Sequence, residues 1–109
     1  MANWVTYPQI TTDVEEEELG VVADFKLEQN FPNPFNPSTV ISFSIPEASN
    51  VKLSVYNILG QEVAVLVNEF VNSGRYSKSF NAKDLSSGLY IYILEAGSTS
   101  ISKKMTLLK

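Results

Sequence analysis

The 109-residue sequence contains no cysteine and no histidine. Without cysteine there is neither a disulfide nor a thiol nucleophile. Without histidine the commonest general base, most zinc ligand sets and every Ser/His/Asp arrangement are missing, which argues against most hydrolase chemistry. Long apolar runs are absent too, since no stretch reaches the roughly 18 residues that a membrane helix requires. The first residues, M-A-N-W-V-T-Y-P, have neither the basic nor the apolar region of an export peptide. The expectation is a chain with no membrane span and no export segment of its own. Basic residues are few and scattered, eight against twelve acids, which is no footprint for nucleic acid. No window shows sustained helical periodicity.

The acids are unevenly placed. Residues 1 to 25 hold six of them (Asp13, Glu15, Glu16, Glu17, Glu18, Asp24) and no base, whereas residues 26 to 109 hold six acids and eight bases. A run of four glutamates with few apolar neighbours cannot bury enough surface to offset its ordering entropy, so residues 1–24 read as a flexible acidic linker. The glutamate run is also a conceivable site for a hard cation, although a solvated linker accounts for it more simply. Residues 25–109 are long enough to bury a modest core of their own.

Between these parts lies N-F-P-N-P-F-N-P-S-T, Asn30 to Thr39. Its prolines fix φ and push Phe31, Asn33 and Asn36 out of the helical region, so it reads as a stiff, extended entry. Phe31 and Phe35 are expected to anchor it on the following strand, and Asn33 and Asn36 to close Asx turns, with a free linker as the competing reading.

Strand patterns follow one another from there. Val40 to Ile45 places Ile41, Phe43 and Ile45 on one face, and Val51 to Tyr56 does the same with Val51, Leu53 and Val55. Asn57 to Gly60 reads as a turn with positive φ at Gly60. Gln61 to Val67 is apolar on both parities, which suits either a doubly covered strand or a bulge. After a loop at Asn68 to Gly74, Arg75 to Asn81 alternates again. A second connection, Ala82 to Gly88, leads into L-Y-I-Y-I-L at Leu89 to Leu94, a central strand by its β-propensity on both faces. Thr99 to Leu108 closes the series, with Lys103 an edge charge or bulge site. This spacing argues for an all-β fold, an antiparallel immunoglobulin-like β-sandwich of about seven strands. Tyr90 stands where a tyrosine corner would, or is a core aromatic.

The motifs F-K-L-E-Q-N-F-P-N-P-F-N-P-S-T-V-I-S-F-S-I-P, V-Y-N-I-L-G-Q-E-V, S-G-R-Y, L-S-S-G-L-Y and the closing S-K-K-M-T-L-L-K occur in this order. Together they resemble the type A C-terminal sorting domain of the type IX secretion system of Bacteroidota-type bacteria. The family pattern falls on Pro32, Asn33, Pro34, Gly60, Gly74, Tyr76, Leu85, Gly88, Tyr90, Lys103, Lys104 and Lys109. Thr106 departs from it, since the family more often has an aliphatic residue there. The resemblance implies a secretion signal and no enzyme, cofactor or metal. Its implied partners are an N-terminal cargo domain, the outer-membrane translocon with its shuttle components, and a sortase-like peptidase cutting within Thr11 to Phe25. The route it implies runs through the periplasm to the cell surface, with attachment to lipopolysaccharide, or to the medium. The alternatives are a generic immunoglobulin-like spacer or adhesin module resembling the flagellar hook-cap sandwich, and an enzyme built on paired carboxylates such as Glu62 and Glu69.

Overall fold

The structure, a computed structural model, describes residues 24–109, and the acidic run therefore lies outside the described residues. Seven strands follow in order: β1 (Lys26–Leu27), β2 (Ser38–Ile45), β3 (Ser49–Tyr56), β4 (Glu62–Val71), β5 (Gly74–Asn81), β6 (Gly88–Ala96) and β7 (Thr99–Leu107). There is no helix among the described residues. The strands form two antiparallel sheets, ordered β1-β2-β5 and β4-β3-β6-β7. Two hairpins, β3-β4 and β6-β7, stay within the larger sheet, while the β2-β3, β4-β5 and β5-β6 connections cross between sheets. This is the Greek-key wiring of an immunoglobulin-like sandwich.

The alternation in the sequence dictates which faces meet. Ile41, Phe43 and Ile45 of β2 and Phe80 of β5 point inward from the smaller sheet. Val51, Leu53 and Val55 of β3, Tyr90, Tyr92 and Leu94 of β6, and Met105 and Leu107 of β7 answer them from the larger one, all buried. Stacking between Phe43 and Tyr76, with ring centroids 5.4 Å apart, extends this core across the β2-β5 pair.

Two strands differ from expectation at their ends. β4 continues to Val71, through what reads as the start of a loop, because Asn68 to Phe70 lie exposed along a sheet edge where no alternation is demanded. Its doubly apolar run resolves as an irregular edge, with register shifts against β3 between Leu53 and Ser54 and between Val55 and Tyr56. β1 has only two residues, Lys26 and Leu27, too few to show any period.

The proline-rich stretch is not an extended entry. It leaves the edge of β2, where Phe31 pairs antiparallel with Val40, crosses to the larger sheet, where Phe35 pairs parallel with Leu107, and returns to start β2. It is a clasp across the open side of the sandwich. Phe35 is only 1 % exposed and its ring lies 6.1 Å from that of Phe80 in the opposite sheet. Phe31 is 80 % exposed, so it is no buried anchor. The two phenylalanines differ because only Phe35 reaches the gap between the sheets.

Candidate recognition surface

Polar groups hold the clasp in place. Asn30 is buried; its amide donates to the Pro32 carbonyl (3.1 Å) and to Thr39 Oγ1 (3.0 Å), and Thr39 Oγ1 donates to the same Pro32 carbonyl (2.9 Å). The Asn30 backbone N–H donates to the Tyr92 hydroxyl (2.8 Å), which donates onward to the Glu28 carbonyl (2.7 Å). Burial raises the pKa of Tyr92, and the hydrogen bond from Asn30 partly opposes that rise. Every one of these groups would be costly to bury alone, so their mutual satisfaction fixes one conformation.

The same segment covers the edge of β7. The Gln29 side chain donates to the Lys104 carbonyl (2.7 Å), Asn33 Oδ1 accepts from Thr106 N–H (3.0 Å), Phe35 N–H donates to the Thr106 carbonyl (3.0 Å), and Leu108 N–H donates to the Phe35 carbonyl (2.9 Å). Asn33 therefore reaches across to β7 rather than closing its own turn. Thr106, the departure from the family pattern, meets the clasp through its backbone, which any side chain could supply. An edge strand with its N–H and C=O groups occupied in this way is not a template for intermolecular pairing.

Tyr90 makes a tyrosine corner: its hydroxyl donates to the Ser86 carbonyl four residues upstream (2.7 Å). Tyr76 repeats the device after the β4-β5 turn, donating to the Asn72 carbonyl (2.6 Å). The sequence reading missed this second corner, for which the Asn72-Ser73-Gly74 turn just before Tyr76 is the available signal.

The residues singled out in the sequence fall at two ends of the sandwich. Pro32, Asn33 and Pro34 are exposed in the clasp, beside the end of β7. Leu85, Gly88 and Tyr90 lie at the same end, in the β5-β6 crossing and the start of β6, where Gly88 pairs with Leu107. Lys109 joins them, its N–H donating to Ser87 Oγ (3.0 Å) and its ammonium to the Lys83 carbonyl. Gly74 and Tyr76 are at the opposite end, where Gly74 pairs with Ile45, roughly 20 Å away along the strands. The three lysines do not form one cluster. Lys103 and Lys104 are successive in β7 and so point to opposite faces, Lys103 half-buried opposite Tyr92 and Lys104 exposed opposite Ile91.

In the sequence the turn between β3 and β4 reads as a place for positive φ at Gly60, and Gly60 has φ of 83°. It is more than that. Asn57 Oδ1 accepts from Leu59 N–H (2.9 Å) and Gln61 N–H (3.0 Å), its amide donates to Gln61 Oε1 (2.8 Å), its N–H donates to the Gln61 carbonyl (2.9 Å), and its carbonyl accepts from Gly60 N–H (3.0 Å). On this braced turn Ile58 and Leu59 are 71 % and 78 % exposed.

Glu62 and Glu69, the carboxylates considered as a catalytic pair, do not converge. Glu62 pairs with Lys52 at 3.0 Å, and its hydrogen bond and charge raise the lysine pKa. Glu69 lies seven residues further along β4, roughly 20 Å from Glu62 and not facing it across a cleft. Among the described residues no three Asp or Glu side chains stand together as a metal site would require.

Comparison with curated proteins gave no match. The family of secretion system C-terminal sorting domains matches residues 29–107, from the residue that binds the Lys104 carbonyl to the end of β7. That span takes in the clasp, all but the first strand of the sandwich and both tyrosine corners, and the chain belongs to the family of type IX secretion system C-terminal sorting domains.

Proposed function

We propose that residues 25–109 act as the signal that carries a preceding cargo domain through the periplasm to the outer-membrane translocon and its shuttle components. A sortase-like peptidase then cuts within Thr11 to Phe25, leaving the cargo at the cell surface or free in the medium. The observation that carries this reading is the family match over residues 29–107. The form of the molecule agrees with it: a translocon that reads a folded shape needs a rigid one, and the clasp locks the first and last parts of the domain together.

Recognition would centre on the end of the sandwich that gathers Pro32, Asn33, Pro34, Leu85, Gly88, Tyr90 and Lys109, with Lys103 and Lys104 along β7. Gly74 and Tyr76 are the remaining recognition candidates, at the other end of the sandwich. Lys104 and Lys109 are exposed and Lys103 half-buried, and lysines so placed contribute little to stability but steer a charged partner.

The test is a fusion of the full chain to a periplasmic reporter in a bacterium with a type IX system and in the same strain lacking the translocon. Surface exposure or release is expected only in the first, with mass spectrometry placing the new terminus within residues 11–25. Retention in both strains would instead favour the spacer or adhesin reading. Changing Lys103, Lys104 and Lys109 together to Gln is expected to leave the melting temperature nearly unchanged and to lower export; full export would remove the lysines from recognition.

A further inference from the structure

Eight large apolar side chains remain exposed among the described residues, and four of them, Ile58, Leu59, Leu89 and Leu108, gather at one end of the larger sheet. The topology puts them there. β3 leaves the sheet at Tyr56, which pairs with Ile91, so the Ile58-Leu59 turn and the start of β6 at Leu89 lie side by side; β7 ends at the same level, with Leu107 opposite Gly88 and Leu108 next along. Leu89 and Leu108 share the outer face of the sheet by strand parity, because Tyr90 and Leu107 are buried on the inner one. None of the four packs into the sandwich core, and the turn that carries two of them is held by five hydrogen bonds. A rigid turn tipped with two aliphatic side chains costs solubility and adds nothing to the interior. Clustered exposure of this kind marks an interaction site.

From this arrangement we infer that Ile58 and Leu59 form an apolar prong, flanked by Leu89 and Leu108, that inserts into an apolar socket with an acidic rim on a protein of the secretion machinery. The inference rests on the sorting function proposed above and names the surface that the machinery grips. The acidic rim follows from charge. Lys104 stands on the outer face opposite Ile91, and Lys83 and Lys109, which meet beside Ser87 through the Lys109 ammonium and the Lys83 carbonyl, outnumber Asp84, whereas Glu62, the acid that starts β4, is neutralised by Lys52. A protein socket fits better than a lipid surface. Interfacial insertion takes a broad basic face beside the apolar one, and anionic lipid is typically held by about four to eight lysines or arginines. Among the described residues only three lysines, Lys83, Lys104 and Lys109, stand at this end, with Asp84 among them.

Three fusions of the full chain to a periplasmic reporter, compared in a bacterium with a type IX system, test the inference: unaltered, Ile58→Ser with Leu59→Ser, and the conservative Ile58→Leu with Leu59→Ile. The serine pair, exposed in a turn whose hydrogen bonds use the side chains of Asn57 and Gln61 and backbone groups that the substitutions keep, is expected to melt within a few degrees of the unaltered domain. Its export is expected to fall roughly tenfold or more, while the conservative pair keeps most of it. A photo-reactive benzoylphenylalanine at position 59 is expected to crosslink to a discrete protein, and vesicles of lipopolysaccharide and phospholipid are expected not to co-sediment the chain. Full export of the serine pair, equal loss in the conservative pair, or crosslinks confined to lipid would each overturn the prong. If the unaltered fusion itself stays in the periplasm, the sorting function falls and the prong with it; if the unaltered and serine fusions are both exported, the prong alone falls.

Discussion

The clasp at Asn30 to Thr39 and the turn at Asn57 to Gln61 are built with the same device and put to opposite uses. In each, an asparagine side chain holds a short irregular segment by bonding backbone and side-chain groups around it: Asn30 to the Pro32 carbonyl and Thr39, Asn57 to the amides of Leu59 and Gln61. In the clasp this bracing is buried, and the aromatic that it positions, Phe35, fills the gap between the sheets. In the turn the bracing is exposed, and the aliphatic pair that it positions faces water. Rigid irregular backbone therefore says nothing by itself about burial. What decides is whether the far side of the loop meets another sheet, as the clasp meets β7, or meets nothing.

The contrast predicts a wide spread of stability effects. Replacing Phe35 with Ala should cost about 3–5 kcal/mol, the range for a fully buried aromatic, whereas the same change at Phe31 should cost under about 0.5 kcal/mol. Urea denaturation of the two variants measures the difference, and equal midpoints would show that the clasp does not close the core.

A smaller effect should appear at alkaline pH. The pKa of Tyr92 in the folded protein lies above its ordinary value of 10.0 because burial disfavours the phenolate. The folded state thus holds this proton more tightly than the unfolded chain, so the stabilisation is complete below the unfolded pKa and is lost as the pH rises through the folded one. The melting temperature should fall above pH 10, and Tyr92→Phe should flatten that part of the profile while costing about 1–3 kcal/mol at neutral pH, since Asn30 N–H and the Glu28 carbonyl lose their partner. An unchanged alkaline slope in the variant would place the titration elsewhere.

The smallest effect belongs to the turn. Asn57→Ala removes three side-chain bonds at an exposed site, where water replaces them, and should cost about 0.5–1.5 kcal/mol. Hydrogen exchange at the Leu59 and Gln61 amides should nonetheless accelerate. A loss comparable to Phe35→Ala would mean that the turn is part of the core after all.

Most of the fold was legible because inward strands alternate: Ile41, Phe43 and Ile45, or Val51, Leu53 and Val55, name their own buried face. Tyr90 was legible through the loop behind it. Phe31 and Phe35 were not separable, since both precede or follow a proline in similar surroundings, and what distinguishes them is Leu107, 72 residues from Phe35. The outer face of β6 misled in a different way. Leu89, Ile91 and Ile93 suggest a strand covered on both sides; β6 is central in its sheet, yet its outer face is left half-exposed or open. Ile58 and Leu59 went unread as a feature because a turn sequence discloses its backbone shape through Asn57 and Gly60 and leaves the direction of its other side chains undetermined.

The bond between Asn33 and Thr106 joins positions 73 residues apart. Synthesis runs from the N-terminus, so the clasp emerges long before the strand that it grips, and its contacts to Thr106 and Leu108 cannot form until nearly all of the described chain exists. A chain broken off before β7 would leave Phe35 without its seat and the Asn33 and Phe35 acceptors without their donors. Closure of this domain is accordingly a mark that synthesis has passed β7, readable where the clasp meets that strand.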